Sequence, residues 1–226
     1  MCGRFAMSGD LDFYAQYYGV TDDDIEPIEH NWNVAPTDES YVVSERDETR
    51  HLSRMRWGVI PHWTRDSKTI HINARAESVA TKPAFRKAFS IHRCLIPADG
   101  FYEWEPKERG RAPHWVFRAD GHPMSFAGIW AAWRPTETDG WERRFAIITT
   151  EAAGPIATIH DRMPVILAAE VWEPWLDRSL TDPEEALALL RPLDSDLIME
   201  HAVSSEVNSV RNNHPGLRDP HSDTLF

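Results

Sequence analysis

Residues 93–104 read RCLIPADGFYEW and contain two short runs that favour extended structure, 93–97 and 100–104. Four further runs of the same kind follow along the chain, at residues 114–118, 125–130, 143–149 and 163–167. Because few helices separate these runs, they favour an antiparallel arrangement over a parallel βαβ sheet. The sequence therefore predicts an α+β fold that is β-rich and mostly antiparallel, with a barrel-like core and peripheral helices.

The flanking segments predict a hairpin, several helices and a single domain. Residues 41–44 and 51–57 are typical of two strands joined by a charged turn. Apolar residues at i, i+3, i+4 and i+7 predict a helix over 10–18 that ends near Gly19. Other predicted elements are an ordered loop at 32–36 and helices at 75–80, 83–89, 169–176 and 183–190. With no repeat or linker-like tract, residues 1–226 are interpreted as one domain with an irregular tail at 212–226.

Composition excludes several classes of protein. Hydrophobic residues make up 42% of the 226 residues and ten are Trp, which excludes wholesale disorder. The two cysteines, Cys2 and Cys94, are too far apart in sequence to suggest a disulfide framework or a zinc site, and Cys94 is predicted to be a buried structural thiol. The longest apolar runs fall below the roughly 18 residues of a membrane span, and no signal sequence is evident. We expect a cytoplasmic protein.

The charge balance is acidic, yet unevenly distributed. Asp and Glu outnumber Lys and Arg by 36 to 24, for a net charge of −12, which argues against non-specific binding to nucleic acid. Acidic clusters such as 22–24 and 182–185 lie in predicted turns or helix starts. Arginines fall elsewhere along the chain, at Arg4, Arg65, Arg75, Arg143, Arg144 and Arg162. A locally positive groove is therefore compatible with a negative total.

Cys2 stands directly behind Met1. Removal of Met1, which is usual when the second residue is small, leaves a free α-amine and a thiol on one residue. Such a 1,2-aminothiol condenses with an aldehyde to a Schiff base, which the thiolate closes to a thiazolidine ring. At ordinary pKa values of about 7.7–8 for the amine and about 8.5 for the thiol, both groups react near pH 7 with little tuning. The alternative is a small buried or disordered residue.

Two segments combine aromatic and amide groups in ways that allow a function. Residues 57–63 contain Trp57 and Trp63, which form either a hydrophobic corner or a platform on which unpaired bases stack. In residues 72–77, Asn73 precedes a predicted helix, where it is either an N-cap or a functional amide.

Two further segments contain titratable groups. Glu103 lies between Tyr102 and Trp104, so it either faces water from an edge strand or is buried with a raised pKa that suits a general acid or base. His160 lies near the end of the segment 149–162, next to Asp161 and Arg162, and it is either a core histidine or a proton carrier near neutral pH.

These segments together resemble the SOS-response-associated peptidase (SRAP) family, whose members protect and process abasic sites in single-stranded DNA. The blocks that carry the resemblance are CGRF at 2–5, NVAPT at 33–37, WG at 57–58 with Pro61 and Trp63, NARAE at 73–77, GFYEW at 100–104, HDRMP at 160–164, and VS at 203–204 with VN at 207–208. They occur in the family's order over essentially the whole chain, and the resemblance implies the family's β-rich, barrel-like fold.

The resemblance also implies roles for individual residues. Cys2 resembles the nucleophile that forms a thiazolidine crosslink with the aldehyde of an abasic site. Asn73 resembles the group that positions the sugar, Glu103 the acid/base that opens it, and His160 a second proton-transfer group. The positions that match the family's DNA-binding residues are Arg4, Asn33, Trp63, Arg75, Trp104, Thr149 and Arg162.

We therefore expect a lyase-like or self-processing activity without cofactor or metal, in a monomer that associates with the nucleoid during DNA damage. Three alternatives remain open. An N-terminal-nucleophile amidotransferase also begins Met-Cys-Gly, although Arg4 and the lack of an oxyanion segment argue against it. A cysteine peptidase is a second alternative. A third is a non-covalent reader of single-stranded DNA, which would bind without an adduct.

Overall fold

Twelve strands and five short α-helices form the described part, residues 2–20, 25–64, 66 and 68–221, of a computed structural model. The strands are β1 (Phe5–Met7), β2 (Asn31–Val34), β3 (Glu39–Arg46), β4 (Thr49–Trp57), β5 (Asn73–Arg75), β6 (Arg93–Ala98), β7 (Gly100–Pro106), β8 (Arg111–Arg118), β9 (Met124–Trp133), β10 (Glu142–Glu151), β11 (Arg162–Pro164) and β12 (Ile198–Ala202). The helices are α1 (Leu11–Tyr18), α2 (Ala76–Val79), α3 (Arg86–Ile91), α4 (Trp172–Leu176) and α5 (Pro183–Ala188). Short 3-10 helices occupy Gly154–Thr158, Ala169–Val171, Ser195–Leu197, Ser205–Asn208 and Pro215–Arg218.

Five of the described strands close into a barrel. The hairpin β3–β4 continues through β6 to β9, and β10 completes the ring by pairing with β9 on one side and β4 on the other. Each of these pairings is antiparallel except β4–β10. Beyond the barrel, β10 also pairs with β5 in parallel and with β11 antiparallel. The predicted β-rich, mostly antiparallel, barrel-like fold is confirmed.

A second sheet, of antiparallel strands in the order β12-β8-β7-β1-β2, packs on the barrel. Its inner face contributes Phe5 and Phe101, whose rings contact Phe126 of the barrel at centroid distances of 6.1 and 6.0 Å. Since side chains alternate along a strand, Tyr102 points to the opposite face. There it packs with Trp115 and the segments near the C-terminus in a smaller cluster.

Several predicted elements are confirmed, and two need correction. The hairpin forms as β3 and β4, and α1 ends at Gly19 in a left-handed conformation. The predicted loop at 32–36 is wrong, because residues 31–34 form β2. Its asparagines disfavour strands, but pairing with β1 overrides that preference. The helix predicted from residue 83 begins instead at Arg86.

Some predictions fall outside the described residues. These are the loss of Met1, the acidic cluster at 22–24, the placement of Arg65 and the tail beyond residue 221. Within the described part, the segment after residue 212 includes the short helix Pro215–Arg218, and Leu217 is buried. In that part of the chain, too, no helix has the length and apolar character that crossing a membrane requires.

A substitution at Gly100 tests how closely β7 and β8 approach each other. A Cβ at this position would meet the backbone oxygen of Val116 and lie 2.7 Å from the Trp115 ring. Because backbone atoms cannot yield as side-chain tips do, we expect Gly100→Ala to lower the free energy of unfolding by about 1–3 kcal/mol. Gly140, where an added Cβ meets nothing within 4 Å, is the matched control. Urea unfolding of both variants measures the difference, and equal stabilities would contradict the packing argument.

Candidate active site

Cys2 is completely buried and its thiol is free. Burial raises the pKa of the thiol far above its usual range, the charge of Glu103 raises it further, and a hydrogen bond from the backbone of Arg4 acts in the opposite direction. The expectation that this thiol needs little tuning is therefore wrong. The buried thiol remains protonated at neutral pH, so reaction requires a group that takes its proton.

Asn73 holds the backbone of Cys2. It lies on β5, and its Nδ2 donates a hydrogen bond of 2.8 Å to the carbonyl oxygen of Cys2. The residue before α2 is Arg75, so Asn73 is not a helix cap. Among the described residues, its buried Oδ1 has no hydrogen-bond partner. One end of the amide thus fixes Cys2, while the other leaves an acceptor at the site.

Glu103 is buried beside Cys2, with 3% of its surface exposed. It lies on β7, which is paired on both sides by β1 and β8, so the edge-strand alternative is wrong. Burial raises the pKa of its carboxyl, while the charge of His160 lowers it. The direction of the net shift is upward, as the sequence predicted. A carboxyl of this kind can carry a proton at a pH where an exposed one is ionised.

His160 lies between the short helix Gly154–Thr158 and β11, and it is partly buried. Its Nδ1 accepts a hydrogen bond of 2.9 Å from the backbone N–H of Arg162 and lies 2.8 Å from Oδ1 of Asp161. The first contact requires a lone pair on Nδ1, whereas the second favours a proton there. The two contacts therefore favour different positions of the ring proton, with Nδ1 bare in one and protonated in the other.

The structure brings these four residues together from distant parts of the chain. Asn73 contacts Cys2 directly, Glu103 acts on the charge state of Cys2, and His160 acts on that of Glu103. The site thus combines a thiol, an amide, a carboxyl and an imidazole. Such a set can position a nucleophile and move protons to and from it.

The arginines around the site differ in how they are held. Arg4 donates hydrogen bonds of 2.7 Å to Oδ1 of Asn33 and 3.0 Å to the carbonyl oxygen of Val207. Arg162 binds both carboxylate oxygens of Glu77, at 2.7 and 3.0 Å, and donates to the carbonyl oxygen of Thr149. Arg75, by contrast, is exposed at the surface. Internal partners therefore fix Arg4 and Arg162 in place.

The other predicted DNA-binding residues fall into two groups. Asn33 is buried, and its Nδ2 donates to the carbonyl oxygens of Ser209 and Asn212, so it holds the C-terminal segment and orients Arg4. Thr149 is buried too, and its Oγ1 has no hydrogen-bond partner among the described residues. Trp63 and Trp104 reach the surface, Trp63 the more fully.

Two positioning residues were missed by the sequence reasoning. Glu77 orients Arg162, and Asn208 accepts a hydrogen bond of 2.7 Å from Nε1 of Trp104. Both lie in sequence blocks that carry the family resemblance, but nothing in the spacing shows which side chains they meet. As for metals, His, Cys, Asp and Glu form no group able to bind an ion within the ranges that the structure describes.

The chain is similar over nearly its whole length to several known proteins. The family model of SOS response associated peptidase (SRAP) matches residues 1–210. The abasic site processing protein YoqW of Bacillus subtilis is 37% identical over 225 residues, which cover 98% of this chain and all of YoqW. The abasic site processing protein YedK of Escherichia coli is 33% identical, over 97% of this chain and all of YedK. A crystal structure of a Bacteroides thetaiotaomicron protein aligns with a TM-score of 0.87 at 26% identity, over 98% of this chain and all of that one.

Glu103 provides a test of the electrostatics of the site. Because burial raises the pKa of its carboxyl in the folded state, ionisation destabilises the fold progressively as pH rises above about 4.5, the value for an unburied Glu. We expect Glu103→Gln to be more stable than the parent at pH 8, with a difference that shrinks towards pH 4. The exposed Glu108 provides the control substitution. Urea unfolding at both pH values measures the effect, and a pH-independent difference would contradict it.

Proposed function

The chain belongs to the SOS response associated peptidase family, and on that premise we propose that it processes abasic sites in single-stranded DNA through a covalent bond to Cys2. The observation that carries the proposal is the burial of Cys2 with an amide on its carbonyl oxygen and a carboxyl that acts on its thiol, while an imidazole acts in turn on the carboxyl. The names of the curated relatives YoqW and YedK, both abasic site processing proteins, support the same substrate.

The first step is condensation. Once Met1 is removed, the α-amine of Cys2 attacks the aldehyde carbon of the ring-opened sugar and forms a carbinolamine. Loss of water from the carbinolamine gives a Schiff base. Glu103, whose pKa is raised by burial, donates the proton that the departing hydroxyl needs and becomes a carboxylate.

The second step closes the ring. The carboxylate of Glu103 takes the proton of the Cys2 thiol, and the sulfur attacks the Schiff-base carbon. The resulting thiazolidine contains new C–N and C–S bonds, and one water molecule is released overall. The charge of Glu103 disfavours a thiolate beside it, so the proton transfer and the attack are expected to be coupled.

Asn73 and Thr149 are proposed to bind the sugar, and His160 is proposed to transfer protons to or from it. The buried Oδ1 of Asn73 and Oγ1 of Thr149 are polar atoms that a sugar hydroxyl would satisfy. The charge of His160 lowers the pKa of the Glu103 carboxyl, and His160 is proposed as a second proton carrier for opening the sugar or reversing the crosslink. Arg4, Arg75 and Arg162 are proposed to contact phosphates, with Trp63 and Trp104 as stacking surfaces.

The central prediction concerns Cys2. The protein without Met1 should form a denaturation-resistant adduct with single-stranded DNA that contains one abasic site, and none with intact DNA. Cys2→Ala should abolish this denaturation-resistant adduct, because the variant keeps an α-amine that forms only a reversible Schiff base and lacks the sulfur that closes the ring. Intact-mass measurement detects the adduct. Cys94→Ala is the matched control, since Cys94 is equally buried but lies in the barrel core.

Two outcomes would refute the proposal. If Met1 is shown to be absent and no adduct forms, the protein is a non-covalent reader or has another activity. If a denaturation-resistant adduct survives Cys2→Ala, the sulfur of Cys2 does not form it, and the thiazolidine is ruled out. Release of ammonia from glutamine would instead indicate an amidotransferase.

Arg75 tests the phosphate contacts. As an exposed cation beside Asn73, it should add affinity for DNA of any sequence. We expect Arg75→Gln to weaken binding and to reduce the slope of log K against log salt by about 1. The exposed Arg109, in the turn between β7 and β8, is the control. Fluorescence anisotropy across a salt series measures both quantities, and an unchanged slope in Arg75→Gln would remove Arg75 from the interface.

A further inference from the structure

Two exposed tryptophans lie on neighbouring loops. Trp63 and Trp141 are 57% and 63% exposed, and together with Phe13 they are the exposed Phe, Tyr and Trp side chains of the described residues. Trp141 lines a cleft together with His62 and Thr64, the two residues that flank Trp63 in sequence. Trp141 has no part in the site described above.

A cleft of about 170 Å³ separates the two loops. Its walls include His62 and Thr64 on one side, and Arg134 and Trp141 on the other. Nε1 of Trp133 donates a hydrogen bond of 2.9 Å to the carbonyl oxygen of Thr64 at the base of the cleft. This bond fixes the two loops against each other, so the cleft is a preformed feature.

The cleft is connected to the active site through the chain. The loop that carries Trp63 joins β4 to β5, and β5 begins at Asn73. Val59 and His71 pair across the base of this loop, and Nε1 of Trp57 donates to the carbonyl oxygen of Ile72. The cleft therefore occupies a fixed position relative to the group that holds Cys2.

At the rim of the cleft a cation lies over one face of an aromatic ring. The guanidinium of Arg134 lies 4.5 Å from the centroid of the Trp141 ring, and its Nη1 donates to the carbonyl oxygen of Glu137. The exposed Arg143 and Trp141 line a neighbouring cleft together. A base stacks on the opposite face of the Trp141 ring while the guanidinium binds the phosphate, so the pair matches one nucleotide.

We propose that this cleft holds one unpaired base of the DNA strand that flanks the lesion, packed against Trp141 with its phosphate beside Arg134. The inference rests on the proposed function, since it assumes a DNA strand at Cys2. A cavity of about 150 Å³ accommodates a benzene ring, so the cleft has room for a single ring system. Stacking of this kind accepts any base, and the cleft therefore adds affinity without sequence preference.

The test varies the length of the strand. Oligonucleotides with one abasic site and flanks of two to ten nucleotides on either side are titrated against proteins that carry Cys2→Ala, so that equilibrium binding is measured. Adding Trp141→Ala should weaken binding of the longer strands about fivefold or more, which is about 1 kcal/mol for one stacked base. Strands too short to reach the cleft should bind both proteins equally.

Phe13→Ala is the matched control, since Phe13 is an exposed ring on α1. 2-Aminopurine, placed at successive flank positions, should be quenched at one or two of them and recover in Trp141→Ala. Equal losses at all strand lengths, no loss, or the same loss in Phe13→Ala would overturn the proposal. A protein with native Cys2 that forms no adduct refutes the proposed function instead, while the length dependence still tests the cleft.

Discussion

The hydrogen bonding of β1 on both of its sides constrains the rest of the site. β1 begins at Phe5, three residues after Cys2, and it pairs with β2 and β7. The sheet therefore draws residue 2 into the core, where Asn73 binds its carbonyl oxygen. Since β7 also carries Glu103, the pairing that buries the nucleophile places the carboxyl on the adjacent strand. One registered pair of strands thus determines both the position and the environment of the reacting group.

That environment opposes the ionisation of its own residues. Burial raises the pKa of both Cys2 and Glu103, and the charge of Glu103 raises that of Cys2 further. As long as at least one of the two groups keeps its proton, two negative charges do not stand side by side. The same desolvation strengthens each interaction with a developing charge, because the effective dielectric constant is low. Burial therefore keeps the thiol protonated until the substrate takes the proton of Glu103. The carboxylate that results can then accept the proton of the thiol.

Strand alternation and turn residues predict much of the fold, but they do not predict which strands pair with each other. The hairpin β3–β4 follows from local pattern, but β2 was mistaken for a loop because its strand character depends on contact with β1. Likewise, the chemistry of Cys2 and Glu103 suggested their roles, and the structure added the burial that raises their pKa values. Glu77 was missed as a partner of Arg162 because 85 residues separate the two in sequence. Which charged side chains form ion pairs depends on the topology of the fold and not on the local sequence.

The acidic total of −12 need not oppose DNA binding at this site. At 0.1 M salt, exposed charges more than about 10 Å from a phosphate are largely screened, so distant acidic groups contribute little. Groups in direct contact with a phosphate are screened much less. Internal partners already fix Arg4 and Arg162, which lowers the entropy lost when they bind. A few pre-positioned guanidinium groups and exposed rings can thus hold a strand on a negative protein, and the distant negative charge limits binding elsewhere on the surface.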